Sequence, residues 1–166
     1  TEIMENARER YIITSMEKTL RRTVSAIHRQ VAGGDFEPRR FEVQLSEIGS
    51  RSALSYELSD GSRLNMTGQI DRIDTCEKGD RILVKILDYK SGAKSLDILS
   101  MYHGLQIQLI FYMNAVVEGL SEREPDKSIV PAAFFYYHID DPVIEAKNSI
   151  SDTELSDMKI KSMRPT

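Results

Sequence analysis

Gly68-Gln69-Ile70-Asp71-Arg72-Ile73-Asp74, followed across Glu77-Lys78-Gly79-Asp80 by Ile82-Leu83-Val84-Lys85-Ile86-Leu87-Asp88-Tyr89-Lys90, is the stretch whose reading decides the fold. Its second half is apolar at almost every position from Ile82 to Leu87, the pattern of a strand buried on both faces. Glu77 to Asp80 reads as a turn. Two strands joined so tightly pair antiparallel, and a hairpin symmetric about Gly79 and Asp80 sets Asp71 opposite Asp88. Directly opposed residues have Cβ atoms about 5 Å apart, and two like charges there destabilise a sheet. A divalent cation removes the conflict, because hard Mg2+ or Mn2+ takes one or two carboxylates together with water and phosphate oxygens. Alternation along the strand brings Asp88 and Lys90 out on one face and turns Tyr89 away, leaving only its carbonyl near the cation. Asp71, Asp88 and Lys90 thus suit metal-assisted hydrolysis of a phosphodiester. The competing account is a structural cross-strand pair with ordinary salt bridges. Against it stands the cost of ending an apolar strand in a charged triplet that serves no purpose.

Upstream, Ile12, Ile13, Met16, Leu20, Val24, Ile27 and Val31 recur at three- and four-residue steps, predicting an amphipathic helix from Ile3 to about Val31, ended by Ala32-Gly33-Gly34-Asp35. Phe41, Val43 and Leu45 alternate with polar residues as in a half-buried strand. A strand from Ala53 to Leu58, a turn at Asp60-Gly61, and a longer strand from Leu64 through Ile73 follow, so that four strands form a meander. Downstream, Leu96 to Leu120 has the helical period, and Ile129 to His138 is a fifth strand candidate. The remainder contains Pro142 and a short possible helix at 152–158. The expected division is a helix at 1–33, an αβ core at 36–139 and a poorly specified tail at 140–166. The fold class is α/β (α+β), a mostly antiparallel mixed sheet flanked by helices.

Three ordered motifs now stand together: Gly68 to Asp74, then Leu87-Asp88-Tyr89-Lys90-Ser91-Gly92, then Gln108-Leu109-Ile110-Phe111-Tyr112 on a helix. In these the sequence resembles the PD-(D/E)XK nuclease superfamily and its RecB-like group. The stretch Tyr102 to Leu109, with Phe36-Glu37-Pro38 and Phe41-Glu42, is most similar to the nuclease domain of the AddB (RexB) component of AddAB (RexAB) helicase-nucleases. The resemblance covers roughly Phe36 to Tyr137. It implies a restriction-endonuclease-like core, a Mg2+ or Mn2+ cofactor held by Asp71 and Asp88, a catalytic Lys90, and substrate positioning by Gln108, Tyr112 and Ser91. It also implies DNA as substrate, a helicase subunit as partner, and a role in double-strand-break repair. Gln108 and Tyr112 stand four apart, on one helical face; a core tyrosine beside a surface glutamine explains them too. Glu42 is a weaker candidate for a place at or behind the metal.

Departures from the family pattern bear on the same expectations. RecB-like nucleases carry an upstream motif, often a histidine, and His28 stands too near the first strand to fill it, so it reads as a surface residue. The AddB-type domain holds a four-cysteine iron-sulfur cluster, whose ligands Cys76, read as lying in the hairpin turn, does not match. The cluster is expected in a full-length parent and not in this chain.

With 40% hydrophobic and 29% charged residues over 166 positions, the chain matches one ordinary globular domain. One cysteine excludes an intramolecular disulfide framework and favours a reducing compartment. No run of about 18 apolar residues offers a membrane span, and Thr1 to Glu9 lacks a signal's apolar core, so the expectation is cytoplasmic. A net charge of -4 argues against holding nucleic acid by bulk charge. After Leu120 nine acids face six bases. Arg8, Arg10, Lys18, Arg21, Arg22 and Arg29 share the first predicted helix, more simply a solvated face than a phosphate-binding stripe. The threonine start and bare end suggest a piece of something longer. Two rival functions remain: a non-catalytic DNA-binding or helicase-docking module on the same fold, and a single-strand exonuclease of CRISPR adaptation.

Overall fold

In the computed structural model the described residues are 2–48, 55–91, 97–104, 106–145 and 149–165. The expected strand residues Ala53 and Leu54, the motif's Gly92, and Leu96 and Leu105 of the expected helix lie outside them. The elements are α1 (Glu2–Ala32), β1 (Glu37–Gln44), a 3-10 turn (Leu45–Glu47), β2 (Ser55–Glu57), β3 (Arg63–Asn65), β4 (Gln69–Lys78), β5 (Arg81–Lys90), α2 (Ile98–Tyr102), α3 (Gln108–Arg123), β6 (Ser128–His138) and α4 (Asp152–Ser162).

The chain falls into two compact units. One holds α1, the end of β5 from Lys90, and the segment from His138 through α4; the other holds the rest of the sheet with α2 and α3. In the second unit the sheet order is β1-β4-β5-β6. β1 and β5 each run antiparallel to β4. β6 runs parallel to β5, since Asp80 O accepts from Ser128 N at one end and Lys90 O from Ile139 N at the other. The sheet is therefore mostly antiparallel and mixed.

The expected four-strand meander is corrected. Among the described residues β2 and β3 pair only with each other, as a small separate hairpin, and β1 joins β4 directly. The long strand breaks between Asn65 and Gln69, where Gly68 O accepts instead from Leu45 N. The hairpin register is the expected one from Lys78↔Arg81 to Arg72↔Leu87, ending one pair short of Asp71 and Asp88. Its two-residue loop has Gly79 at φ 62, and Asp80 is not left-handed, the glycine-first geometry that matches strand twist. Cys76 lies within β4, buried opposite Leu83, rather than in the turn.

α3 covers one face of the sheet. Leu109, Tyr112, Met113, Ala115 and Val116 meet Ile73, Ile82, Val84 and Ile86 in a single core cluster. Val84 and Ile86 are fully buried, each contributing about 1.5–3 kcal/mol, so β5 is pinned and its charged end has a fixed place. Gly119 lets α3 come close: a Cβ there would sit 2.1 Å from the Ile48 carbonyl oxygen.

Three further departures have local causes. The expected helix of 96–120 is two helices, because Asp97 caps α2 by accepting from Leu99 N and Ser100 N, and Gly104 at φ 75 turns the chain before α3 begins. Alternation in β1 fails at Glu42, whose φ of 50 is left-handed, so Val43 is buried while Phe41 stays 61% exposed. In α1 the apolar row Ile13, Met16, Leu20 and Val24 is exposed, and Thr23 and Ala26 are buried instead. α4 extends one turn past the expected helix and opens with a capping box between Ser151 and Glu154.

Candidate metal and nuclease site

The candidate site lies at the β5 end of the hairpin, where apolar strand gives way to Asp88, Tyr89 and Lys90. Asp88 is only 3% exposed. A buried carboxylate is costly unless hydrogen-bonded or set against a cation. Asp71, half-buried on the adjoining β4, accepts a 2.6 Å hydrogen bond at Oδ2 from the backbone N–H of Tyr89. One acid is thus bonded to the peptide that leads out of the other.

α3 supplies the next group. Gln108, its first residue, donates from Nε2 to the Tyr112 hydroxyl at 2.8 Å and makes a long 3.5 Å contact to Asp88 Oδ1. Tyr112 is itself buried in the core. Its hydroxyl lies beneath Gly68, where a Cβ would be 2.7 Å away. The glycine opening the β4 motif therefore leaves room for the tyrosine that closes the helix motif.

On the other face of the hairpin, alternation groups Arg72 and Asp74 with Lys85 and Tyr89. Arg72 forms a two-pronged pair with Asp74, both contacts 2.6 Å, and Lys85, opposite Asp74 across the hairpin, reaches its second oxygen at 3.0 Å. Arg72 Nη1 also donates to the Tyr89 hydroxyl at 3.4 Å. Burial disfavours charge on Arg72, but its bonds to Asp74 and Tyr89 outweigh this and raise its pKa above the ordinary arginine value. Lys85 lies over the Phe36 ring, 4.7 Å from its centre, and the Tyr89 and Tyr137 rings meet edge to face at 5.7 Å.

Asp71, Asp88, Tyr89, Gln108 and Tyr112 are thus brought together within one unit. Lys90 is the half-buried last residue of β5 and belongs, with exposed Ser91, to the other unit. Glu42 accepts a hydrogen bond from Gln69. His28 is exposed. The buried Arg72–Asp74 pair escaped the sequence reading, which took these residues at most for surface salt bridges; the available signal was two opposite charges at alternate positions of one strand, hence on one face.

Among the described residues no three His, Cys, Asp or Glu side chains gather as a metal cage. The donors fit a hard cation nonetheless: two carboxylates from adjoining strands and a peptide carbonyl, all oxygen, suit an ion that keeps several waters. Also among the described residues, no helix is long and apolar enough to cross a membrane.

Over 154 residues, 93% of its length, the chain is 38% identical to the B-type subunit of the ATP-dependent helicase/deoxyribonuclease of Clostridium acetobutylicum. It is 34% identical to the protein of that name from Clostridium kluyveri over 155 residues, and 37% identical to the one from Lachnoclostridium phytofermentans over 151. The chain spans 13% of the length of the first two and 12% of the third. Residues 1–164 match the PD-(D/E)XK nuclease superfamily, and the chain belongs to that family.

Proposed function

We propose that this chain is the nuclease domain of an AddB-type helicase-nuclease component and hydrolyses DNA phosphodiester bonds with Mg2+ or Mn2+. The reading is carried by buried Asp88 at the end of an apolar strand, with Asp71 of the next strand bonded to the following peptide N–H. Asp71 and Asp88 hold the ion, with the Tyr89 carbonyl as a third oxygen. The bound ion supplies Lewis acidity and lowers the pKa of water. Lys90, two residues along β5 from Asp88, orients the attacking water and shares charge developing on the phosphate. Gln108 and Tyr112 hold Asp88 and the adjoining substrate backbone from α3, and exposed Ser91 contacts the strand beyond. A helicase subunit as partner in the full-length protein, a place in double-strand-break repair and a cytoplasmic setting complete the reading. The names of the relatives support its helicase and deoxyribonuclease parts.

The test has two arms. Mn2+ raises the melting temperature of the 166-residue chain, by about 2.7 kcal/mol of stabilisation at a hundredfold excess over Kd, and Asp88→Ala removes the rise. In the full-length protein, Asp88→Ala and Lys90→Ala each abolish DNA cleavage. Cleavage that survives Asp88→Ala sinks the proposal; DNA binding by the parent in EDTA, with no cleavage under any metal, favours a non-catalytic DNA-binding module.

A further inference from the structure

Resting on that reading, we infer that Arg72 and Asp74 are positioning residues for the metal site, acting through Tyr89 from the opposite face of the sheet. Tyr89 is held at both ends. Its N–H is bonded to Asp71 at 2.6 Å on the side of the two acids, and its hydroxyl accepts from Arg72 at 3.4 Å on the other side. Its ring rests on Tyr137 between these points. A chain of polar contacts therefore runs from Lys85 through Asp74 and Arg72 to Tyr89, and through the Tyr89 peptide to the Asp71 carboxylate.

Stability does not account for this network. Asp74 is fully buried and Arg72 is 3% exposed, and a buried ion pair of this kind contributes little or nothing net, since an apolar pair of similar volume is often as stable. What the network does provide is direction. A tyrosine on a strand end turns easily about its own backbone, and of the two peptide units that meet at the Tyr89 Cα one carries the N–H that orients Asp71 and the next carries the carbonyl offered to the cation. Fixing the phenol to a guanidinium that is itself fixed by two hydrogen bonds to Asp74 restrains the Tyr89 Cα and with it both units. Partners lying behind metal ligands commonly account for about 10–100-fold in metal affinity.

The experiment measures Mn2+ binding to the chain by calorimetry, with melting temperature in EDTA as the control for folding. Arg72→Met combined with Asp74→Leu removes both charges and keeps the volume, and Tyr89→Phe deletes only the hydroxyl and keeps the ring on Tyr137. The expected result is a Kd raised about tenfold in the double variant and severalfold in Tyr89→Phe, with melting in EDTA within a few degrees of wild type. A merely structural network shifts melting and leaves Kd alone. Unchanged Kd in Tyr89→Phe overturns the inference, and that variant decides if the double variant does not fold. Wild type that binds no Mn2+, or Asp88→Asn that binds it as well as wild type, overturns the metal site itself and the inference with it.

Discussion

Tyr112 marks how closely α3 meets the strand carrying Asp71. Its hydroxyl would lie 2.7 Å, and its nearest ring carbon 3.1 Å, from a methyl group added at Gly68. Gly68→Ala is expected to cost about 1–3 kcal/mol, as overpacking in a tight core does. Tyr112→Phe removes the nearest clashing atom and should recover part of that loss, so urea unfolding of the four members of the cycle will show non-additivity. Simple additivity would mean the methyl is accommodated elsewhere. At this scale the sequence was informative where partners were close in the chain. The register from Lys78↔Arg81 to Arg72↔Leu87 follows from the turn alone, because a two-residue loop leaves one symmetric register. That Gly68 serves Tyr112 was not legible, because nothing in either motif states how deeply the helix settles on the sheet. Nor could Asp71's choice of the Tyr89 N–H be read, since a strand pattern assigns faces and not hydrogen bonds.

Elements differ in how much of their environment is written in their periodicity. β5 is a run of apolar residues with a unique place, and its partner followed, though the strand runs Arg81–Lys90, one residue earlier and two later than the apolar run with Asp88 predicts. α1 has an equally clear period, yet its apolar row faces outward and Thr23 and Ala26 are buried, because periodicity tells that two faces differ and not which one is covered. β1 shows the opposite case, where a single left-handed residue, Glu42, overrides a regular alternation. The packing of α4 on α1 is tied by ions: Asp157 bonds Lys161 at 2.7 Å and Arg29 at 2.8 Å. These hydrogen bonds, that of Lys161 foremost, hold Asp157 below the ordinary aspartate value of 3.8. A carboxylate depressed by folding stabilises above its unfolded pKa and loses that contribution as pH falls through the folded value. Asp157→Asn should therefore lower the melting temperature at about pH 7 and have no effect near pH 2, with a difference modest at an exposed site and shrinking in salt. Equal destabilisation at both pH values would assign the effect to packing.

For the molecule as a whole, the sheet order β1-β4-β5-β6 separates what is near in sequence from what is far. The expected meander failed because, among the described residues, β2 and β3 pair with each other apart from the main sheet and β1 takes β4 directly. The class of fold was legible from the order of periods, a helix, strands, a helix and a strand; the neighbour of β1 was not, since adjacency in sequence and pairing in space part company there. The loop at Gly79 and Asp80 bears on when these pieces assemble. Gly79 is left-handed, and a side chain added there would touch nothing within 4 Å, so Gly79→Ala penalises conformation alone, by about 1 kcal/mol. The hairpin closes a loop of two residues, whereas β6 reaches β5 only after α2 and α3 have been laid down, and short closures come first in time. Stopped-flow refolding should slow about fivefold in Gly79→Ala with the unfolding rate unchanged; the reverse partition would put the turn late. The order of events implied is that the two acidic strands are already zipped while the helix bearing Gln108 is still searching, so the nascent polypeptide acquires its anionic corner before it acquires the cover for it.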